Sequence, residues 1–337
     1  MSEIAVTRRG TRAPGDYRAI APADWPAPDA RRRLQLALGA VWLLDAILQY
    51  QPVMFTRALG RMLAAAALGN PALVSRPVIW DARLVGQHPV ALNAVFATVQ
   101  LLLALGIAWR PTVKVGLGAS VVWALGVWWF GEGLGGVLTG TASPVSGAPG
   151  PAVLYALLAI LLWPRDRGTA ALAGDPPVPF VAARAVGAPA ARALWLILWA
   201  SLAYFALLPA NRAPQALHDT LSGMAPGEPA WLATISQHGA AFLAHQGLAA
   251  SVVLAALLIL IALGVYLPPA GARVALALAA VMAAVIWVAG QALGGILTGS
   301  GTDPDTAPLL TLLVLAFWPA RGPMGRGPSA RGPQGGP

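Results

Sequence analysis

Two acidic residues are candidates for chemistry because they lie within or beside long apolar runs. Asp45 falls eleven residues into a run that starts at Leu34, and Glu132 lies two residues after the end of another run. A lone carboxyl inside a bilayer costs about 2.5–3.5 kcal/mol on insertion scales, so it must be protonated, paired or facing a cavity. Asp45 is therefore either a functional titratable group or a neutral acid that hydrogen-bonds a neighbouring helix. Gln49, four residues on, shares its helical face.

Further polar candidates lie in two glycine-rich segments and in one external connection. Glu132 corresponds to Gln291, and both occur where an apolar run ends. Thr139 and Thr298 also correspond, and we expect them to provide polar lining. Each of these groups is either part of a site or simply solvated.

Arg57 and Arg61 are spaced four residues apart, so on a helix they would face one way and could receive an anionic group. The alternative is that they are two solvated loop arginines.

No arrangement of catalytic or metal-binding residues accompanies these candidates. The chain has no cysteine, and its four histidines are too dispersed for a motif such as H-E-x-x-H. His88 and His245 each stand beside a glutamine before an apolar run, where a capping role is expected. We predict no catalytic residue, no metal site and no cofactor, and the sequence does not favour an enzyme.

The composition predicts that these residues are positioned by membrane helices. The 337 residues are 57% hydrophobic and only 10% charged, whereas soluble domains are about a quarter charged. A soluble enzyme, a disordered protein and a disulfide scaffold are excluded. The net charge of +9 belongs to segments that flank the apolar runs and meet anionic lipid. We therefore expect the lipid bilayer, and no nucleic acid, as a partner.

Eight apolar runs predict an all-α polytopic fold with eight membrane spans, since a span needs about 20 mostly apolar residues. The runs are 34–50, 89–108, 113–130, 151–163, 193–208, 247–267, 273–290 and 307–318. The fourth and the eighth are unusually short. With both termini inside, the cytoplasmic segments hold 17 of the 22 basic residues. This bias predicts a multi-pass protein of the bacterial plasma membrane with cytoplasmic termini.

The chain also repeats itself. GEGLGGVLTG at 131–140 reappears as GQALGGILTG at 290–299, and each half ends its last run in Trp-Pro. This predicts two membrane repeats, 34–164 and 192–319, joined by a cytoplasmic Pro/Gly/Ala linker at 165–191. A basic N-terminal tail covers 1–33, and a disordered cytoplasmic tail covers 320–337. Because each repeat has an even number of spans, the repeats are parallel about a pseudo-twofold axis along the membrane normal.

The glycine motifs have two interpretations. Glycines four residues apart on a helix allow another backbone to approach closely. Alternatively, short Gly/Pro-interrupted segments at matching positions of two halves point to a binding site, with broken backbone lining a polar cavity. The motif glycines are Gly131, Gly135, Gly136, Gly140, Gly290, Gly294, Gly295 and Gly299.

A four-span unit with a polar loop after its first helix, here duplicated, resembles the DoxX/DoxD-like membrane superfamily in layout. That superfamily includes small subunits of quinone-linked oxidoreductases, and the resemblance carries over no functional residue. Two functions remain. The first is a transporter-like or ligand-binding protein with a polar site near the extracytoplasmic face between the glycine hairpins. The second is a non-catalytic subunit that docks a quinone-linked redox partner or an assembly partner through its external loops, the partner being a membrane or an extracytoplasmic protein. The oligomeric state is not predicted.

Overall fold

The computed structural model describes residues 29–165 and 179–320, and every regular element in these ranges is helical. The predicted disordered tail lies outside the described residues apart from its first position, as do most of the predicted N-terminal tail and the first half of the predicted linker. The helices of the first half are α1 (Ala30–Leu48), α2 (Arg57–Ala65), α3 (Ala72–Gln87), α4 (Pro89–Ala108), α5 (Val113–Phe130) and α6 (Pro151–Leu161). Those that follow are α7 (Ala183–Val186), α8 (Ala188–Ala206), α9 (Pro209–Arg212), α10 (Ala216–Gly223), α11 (Ala230–Leu243), α12 (Gly247–Gly264), α13 (Pro269–Val285) and α14 (Thr306–Phe317).

Five helices in the described part of the chain are long and apolar enough to cross a membrane. They are α4, α8, α12, α5 with its preceding turn, and α13 with the π turn that extends it to Gly290. Only 33% of the apolar window of α4 is buried inside the protein, although this helix is apolar on every side. An all-round apolar helix requires either a protein core or lipid around it, so these helices are compatible with a membrane-embedded protein.

Three other predicted spans form helices that do not reach this threshold. The helix α1 carries Asp45 and a triplet of arginines at its start, which lowers its mean hydropathy. The helices α6 and α14 are apolar but have only 11 and 12 residues. At 1.5 Å per residue they extend about 17–18 Å, well short of a hydrocarbon core of about 30 Å.

Local signals explain where these helices begin. The Asp29 side chain accepts a hydrogen bond of 2.7 Å from the backbone N–H of Arg32, so α1 starts at Ala30, before its apolar run. The helix α8 starts at Ala188 with a proline in its first turn, a position that suits proline because its missing N–H would be unpaired there.

The same helix pairings occur in both halves. In the first half α1 packs against α4 and α5 packs against α6; in the second, α8 packs against α12 and α13 against α14. The long connections after the first span of each half fold into helical hairpins, α2–α3 and α10–α11. The halves meet where α14 contacts α6 and α1, and one hydrophobic core runs through both.

The described part of the predicted linker packs against the second half. The Ala182 N–H donates to the carbonyl of Ala316 over 2.9 Å, and the Ala320 N–H donates to the carbonyl of Pro179 over 2.8 Å. Phe180 stacks on Phe317 with ring centroids 5.0 Å apart. Residues 179–185 therefore hold the end of α14.

Candidate functional site

Each glycine segment forms a chain of tight turns at the end of a long apolar helix. In the first segment Leu134 and Gly135 have φ of 58° and 61°, and in the second Leu293 and Gly294 have φ of 57° and 74°. A helix requires negative φ, so the glycines do not form one continuous helical face. Glycine suits the left-handed positions 135 and 294 because it has no Cβ, whereas Leu134 and Leu293 adopt the same conformation with a side chain.

Matching hydrogen bonds hold the two segments. The Trp128 indole N–H donates to the carbonyl of Pro149 over 2.7 Å, and that of Trp287 donates to Pro304 over 2.8 Å. The Thr139 hydroxyl donates to the carbonyl of Gly136 over 2.7 Å, and Thr298 makes the same bond to Gly295 over 2.7 Å. Both threonines thus brace their own turn. Trp128 and Trp287 thus each fix the loop that follows their glycine segment.

Asp45 is buried, at 2% exposure, and receives a hydrogen bond from another element. The Tyr155 hydroxyl of α6 donates to Asp45 Oδ2 over 2.5 Å, while Asp45 Oδ1 has no partner. The Tyr155 ring packs on Trp42 with centroids 4.1 Å apart, and the Trp42 indole N–H donates to Ser120 Oγ over 2.9 Å. Gln49 is also buried on this face, and its side-chain carbonyl has no partner.

Glu132 and Gln291 each tie the end of a long helix to the start of a short one. Glu132 Oε1 accepts from the backbone N–H of Ala152 over 3.0 Å, in the first turn of α6, and its Oε2 is buried without a partner. The Gln291 amide donates to the hydroxyl of Thr306 over 2.7 Å, at the start of α14. The two side chains therefore have the same geometric role in the two halves. Burial and the nearby Asp303 carboxylate raise the pKa of Glu132 well above its usual range.

Two acids not selected from the sequence, Asp303 and Asp305, lie beside Glu132. Asp303 accepts from the Thr302 hydroxyl and from the Asp305 N–H, both over 2.8 Å. Asp305 Oδ1 caps α14 by accepting from the Thr306 N–H over 2.6 Å. Burial raises the pKa of both, and the neighbouring Asp303 carboxylate helps raise the pKa of Asp305 to about 7.

Asp45, Glu132, Asp303 and Asp305 form a carboxylate cluster. Glu132 and Asp303 share one cavity with Asp45 and a second with Asp305, and the Asp305 N–H donates to Asp303. Among the described residues, no ion pair joins any of the four to a basic side chain. The described residues also contain no group of three or more Asp, Glu, His or Cys side chains placed to hold a metal.

Two cavities meet at this cluster. The first, the polar pocket, has a volume of about 470 Å³ and is lined by both glycine segments and the loops that follow them, including Gly135, Thr139, Gly147, Gly294 and Asp305. The second, the aromatic cavity, has a volume of about 740 Å³ and is lined by residues of all six helices from α1 to α6. Glu132 and Asp303 line both cavities, whereas Asp45 and Gln49 line only the aromatic cavity.

The other predicted site residues lie apart from the cluster. Arg57 and Arg61 are exposed on α2, line neither cavity, and make no ion pair among the described residues. Thr298 lines neither cavity, although its counterpart Thr139 lines the polar pocket. His245 contacts Gln215 on the exposed surface.

We predict that Asp305→Asn reduces the pH dependence of stability. The unfolded chain releases this proton near pH 4 and the folded protein near pH 7, so the folded state binds more protons in between and stability falls as pH rises through that window. The shift corresponds to at most about 4 kcal/mol. Asparagine retains the oxygen that caps α14. Thermal unfolding of the variant should match the parent at pH 4 and exceed it at pH 8.

The exposed Asp219 provides the control for this measurement, because Asp219→Asn removes a carboxylate outside both cavities. Parallel pH profiles for the parent and Asp305→Asn would contradict the prediction.

No protein-family model, curated protein or solved structure matches the chain.

Proposed function

We propose that the chain is an eight-span protein of the bacterial plasma membrane, built from two parallel four-span repeats with cytoplasmic termini. The five long apolar helices support part of this count, and α1, α6 and α14 complete it. In this arrangement the turns of the glycine segments, together with α6 and α14, cross the part of the bilayer that these two short helices do not span alone. Such backbone is tolerated within a membrane where it is buried in protein or lines water.

The shared geometry of the halves supports duplication. The glycine segments adopt the same left-handed turns, and their tryptophan and threonine hydrogen bonds correspond one to one. The order of helix pairing also repeats. Unrelated segments would have no reason to share all three features.

Single-cysteine labelling tests this topology, and the absence of native cysteine makes each label unique. We expect Arg57→Cys and Arg212→Cys to react with an impermeant maleimide in intact cells. Arg110→Cys, in the turn before α5, and Ala270→Cys, in the first turn of α13, should react only after permeabilisation. All four native residues are exposed. Labelling of positions 57 and 212 from opposite sides would contradict parallel repeats.

We further propose that the protein is transporter-like and binds a small ligand at the carboxylate cluster. The observation that carries this proposal is that Glu132 and Asp303 line both cavities. A ligand or proton bound there is adjacent to the polar pocket on one side and to the aromatic cavity on the other. Ionisable groups in such a position are expensive to bury, and they mark ligand or ion pathways in membrane proteins.

Two carbodiimides test whether both sides reach the cluster. These reagents add the oxygen of a protonated carboxyl to carbon and its proton to nitrogen, and the adduct is located by mass spectrometry. Hydrophobic dicyclohexylcarbodiimide should modify Asp45 and Glu132 through the aromatic cavity. A water-soluble carbodiimide should modify Asp305 through the polar pocket. Glu132 or Asp303 should react with both reagents.

The exposed Asp219 is the matched control, since only the water-soluble reagent should modify it. If dicyclohexylcarbodiimide modifies Asp45 and Glu132 no more than Asp219, the proposed ligand site should be abandoned.

The alternative function is a non-catalytic subunit that docks a redox or assembly partner, in line with the resemblance to the DoxX/DoxD-like superfamily. Its support is the apolar surface of the α2–α3 hairpin, where Leu68, Leu73 and Trp80 are 76%, 75% and 61% exposed. Copurification of a partner that is lost on Leu73→Glu would favour this alternative.

A further inference from the structure

The wall of the aromatic cavity combines ring faces with acids. Six aromatic side chains line it: Trp42, Trp80, Phe96, Trp123, Phe130 and Tyr155. Its four acids are Asp45, Asp81, Glu132 and Asp303, and no Arg, Lys or His belongs to the described lining. Ring faces carry partial negative charge and attract cations. A site made of rings and carboxylates therefore favours a positive ligand and disfavours an anion.

Several acidic and amide side chains that line this cavity have oxygen atoms without a hydrogen-bond partner. Asp45 is 2% exposed, yet its Oδ1 has no hydrogen-bond partner, and Glu132 Oε2 is buried without one. The amide oxygens of Gln49 and Gln100, also in the lining, are unpartnered as well. Buried polar atoms are normally hydrogen-bonded, so several unpaired acceptors in one cavity wall indicate a missing cationic or hydrogen-donating group.

The aromatic side chains are held in place before any ligand arrives. Hydrogen bonds fix Trp42 to Ser120 and Tyr155 to Asp45. Phe96 and Trp123 pack edge to face with centroids 5.8 Å apart. The volume of about 740 Å³ is within the range of small-molecule sites, about 300–1,000 Å³. Val122 and Trp80, 74% and 61% exposed, also line the cavity, so it reaches the outer surface of the helices.

We propose that the ligand of the aromatic cavity is a lipophilic monovalent organic cation, which lies against the rings and exchanges with a proton of the carboxylate cluster. This inference rests on the proposed function and names the class of its ligand. The charge balances because one carboxyl releases one proton for each cation bound. The carboxylate that remains after this proton is released carries the negative charge that pairs with the bound cation.

The exchange predicts tighter binding at higher pH. The titratable groups that share this cavity with Asp45 are Tyr155 on α6, Glu132 after α5, Asp303 before α14 and Asp81 on α3. The helix α2 contributes only Leu59 and Leu63 to the lining, and the buried polar residues of α4 are the neutral Gln100 and Asn93. None of these groups is a base. Affinity for the cation should therefore rise by up to tenfold per pH unit while one proton is exchanged.

The test measures binding of radiolabelled tetraphenylphosphonium to the full chain in lipid nanodiscs. We expect saturable binding that tightens from pH 6 to pH 8 and weakens at least tenfold in Asp45→Asn. Asp219→Asn should bind like the parent. Tetraphenylborate, which has the same shape and the opposite charge, should not bind saturably. If Asp45→Asn does not fold, proton release from the parent on adding the cation provides the measurement, with about one proton expected per cation.

Equal binding of the cation and tetraphenylborate, or cation binding without proton release, would overturn the assignment. Saturable binding of a neutral ligand such as a quinone, without cation binding, would assign the cavity to a hydrogen-bonding molecule instead. Carbodiimide labelling distinguishes a wrong ligand class from a wrong proposed function. If labelling of Asp45 persists while cation binding fails, only the ligand class is wrong; if both fail, so does the proposed function.

Discussion

Gly135→Ala is expected to destabilise the protein by about 2–5 kcal/mol. Gly135 has φ of +61°, where a side chain costs about 1–2 kcal/mol. An added Cβ would overlap the carbonyl of Pro149, and overpacking of this kind costs typically about 1–3 kcal/mol. The clash involves backbone atoms, which cannot rotate away. Gly294→Ala should behave alike, because its Cβ would lie 2.6 Å from the backbone carbon of Pro304. The readout is thermal unfolding in detergent.

Alanine substitutions at two other glycines distinguish the cost of a positive φ from the cost of the steric clash with the loop. Gly140 has φ of +76°, but a Cβ there would meet nothing within 4 Å, so Gly140→Ala should cost only about 1–2 kcal/mol. Gly126 lies inside α5 with open space around it, and alanine there should be neutral or stabilise by up to about 1 kcal/mol. Equal losses for Gly135→Ala and Gly140→Ala would show that the approach of the loop to the glycine turn does not limit stability.

The long apolar helices could be predicted from sequence because composition alone defines them. The predicted run 89–108 coincides with α4, and the runs at 113–130 and 247–267 match α5 and α12 closely. The hairpins α2–α3 and α10–α11 lacked such a signal, since their residues mix small, polar and apolar types. Their helices depend on packing against each other.

The candidate site could be predicted only in part, because it joins distant segments of the chain. Asp45 and Glu132 were recognisable as acids in an apolar context, and both line the aromatic cavity. Asp303 and Asp305 resembled ordinary loop acids, and only the tertiary fold brings them beside Glu132. The available signal was an asymmetry between the two loops that join the glycine segments to the short helices. The loop before α14 contains Asp303 and Asp305, whereas the loop before α6 contains no acid.

Replacing both members of the Asp45–Tyr155 pair is expected to separate stability from function. Tyr155→Phe leaves a buried carboxyl without its donor, and Asp45→Leu leaves a buried hydroxyl without its acceptor, so each single change should cost about 1–3 kcal/mol. The double variant should be as stable as the parent or more so, because apolar replacement of a buried polar pair is often neutral or favourable. Leucine is a suitable replacement, since Leu202 is 3% exposed on α8, which packs against α12 as α1 packs against α4.

The double-mutant cycle measures this coupling through the four unfolding free energies. Carbodiimide labelling at position 45 and tetraphenylphosphonium binding should be lost in the double variant despite its stability, while Asp219→Asn should keep both. A double variant less stable than either single variant would indicate that the pair serves the fold. A stable protein that no longer binds would instead show that Asp45 serves binding, because leucine at this position would satisfy packing alone.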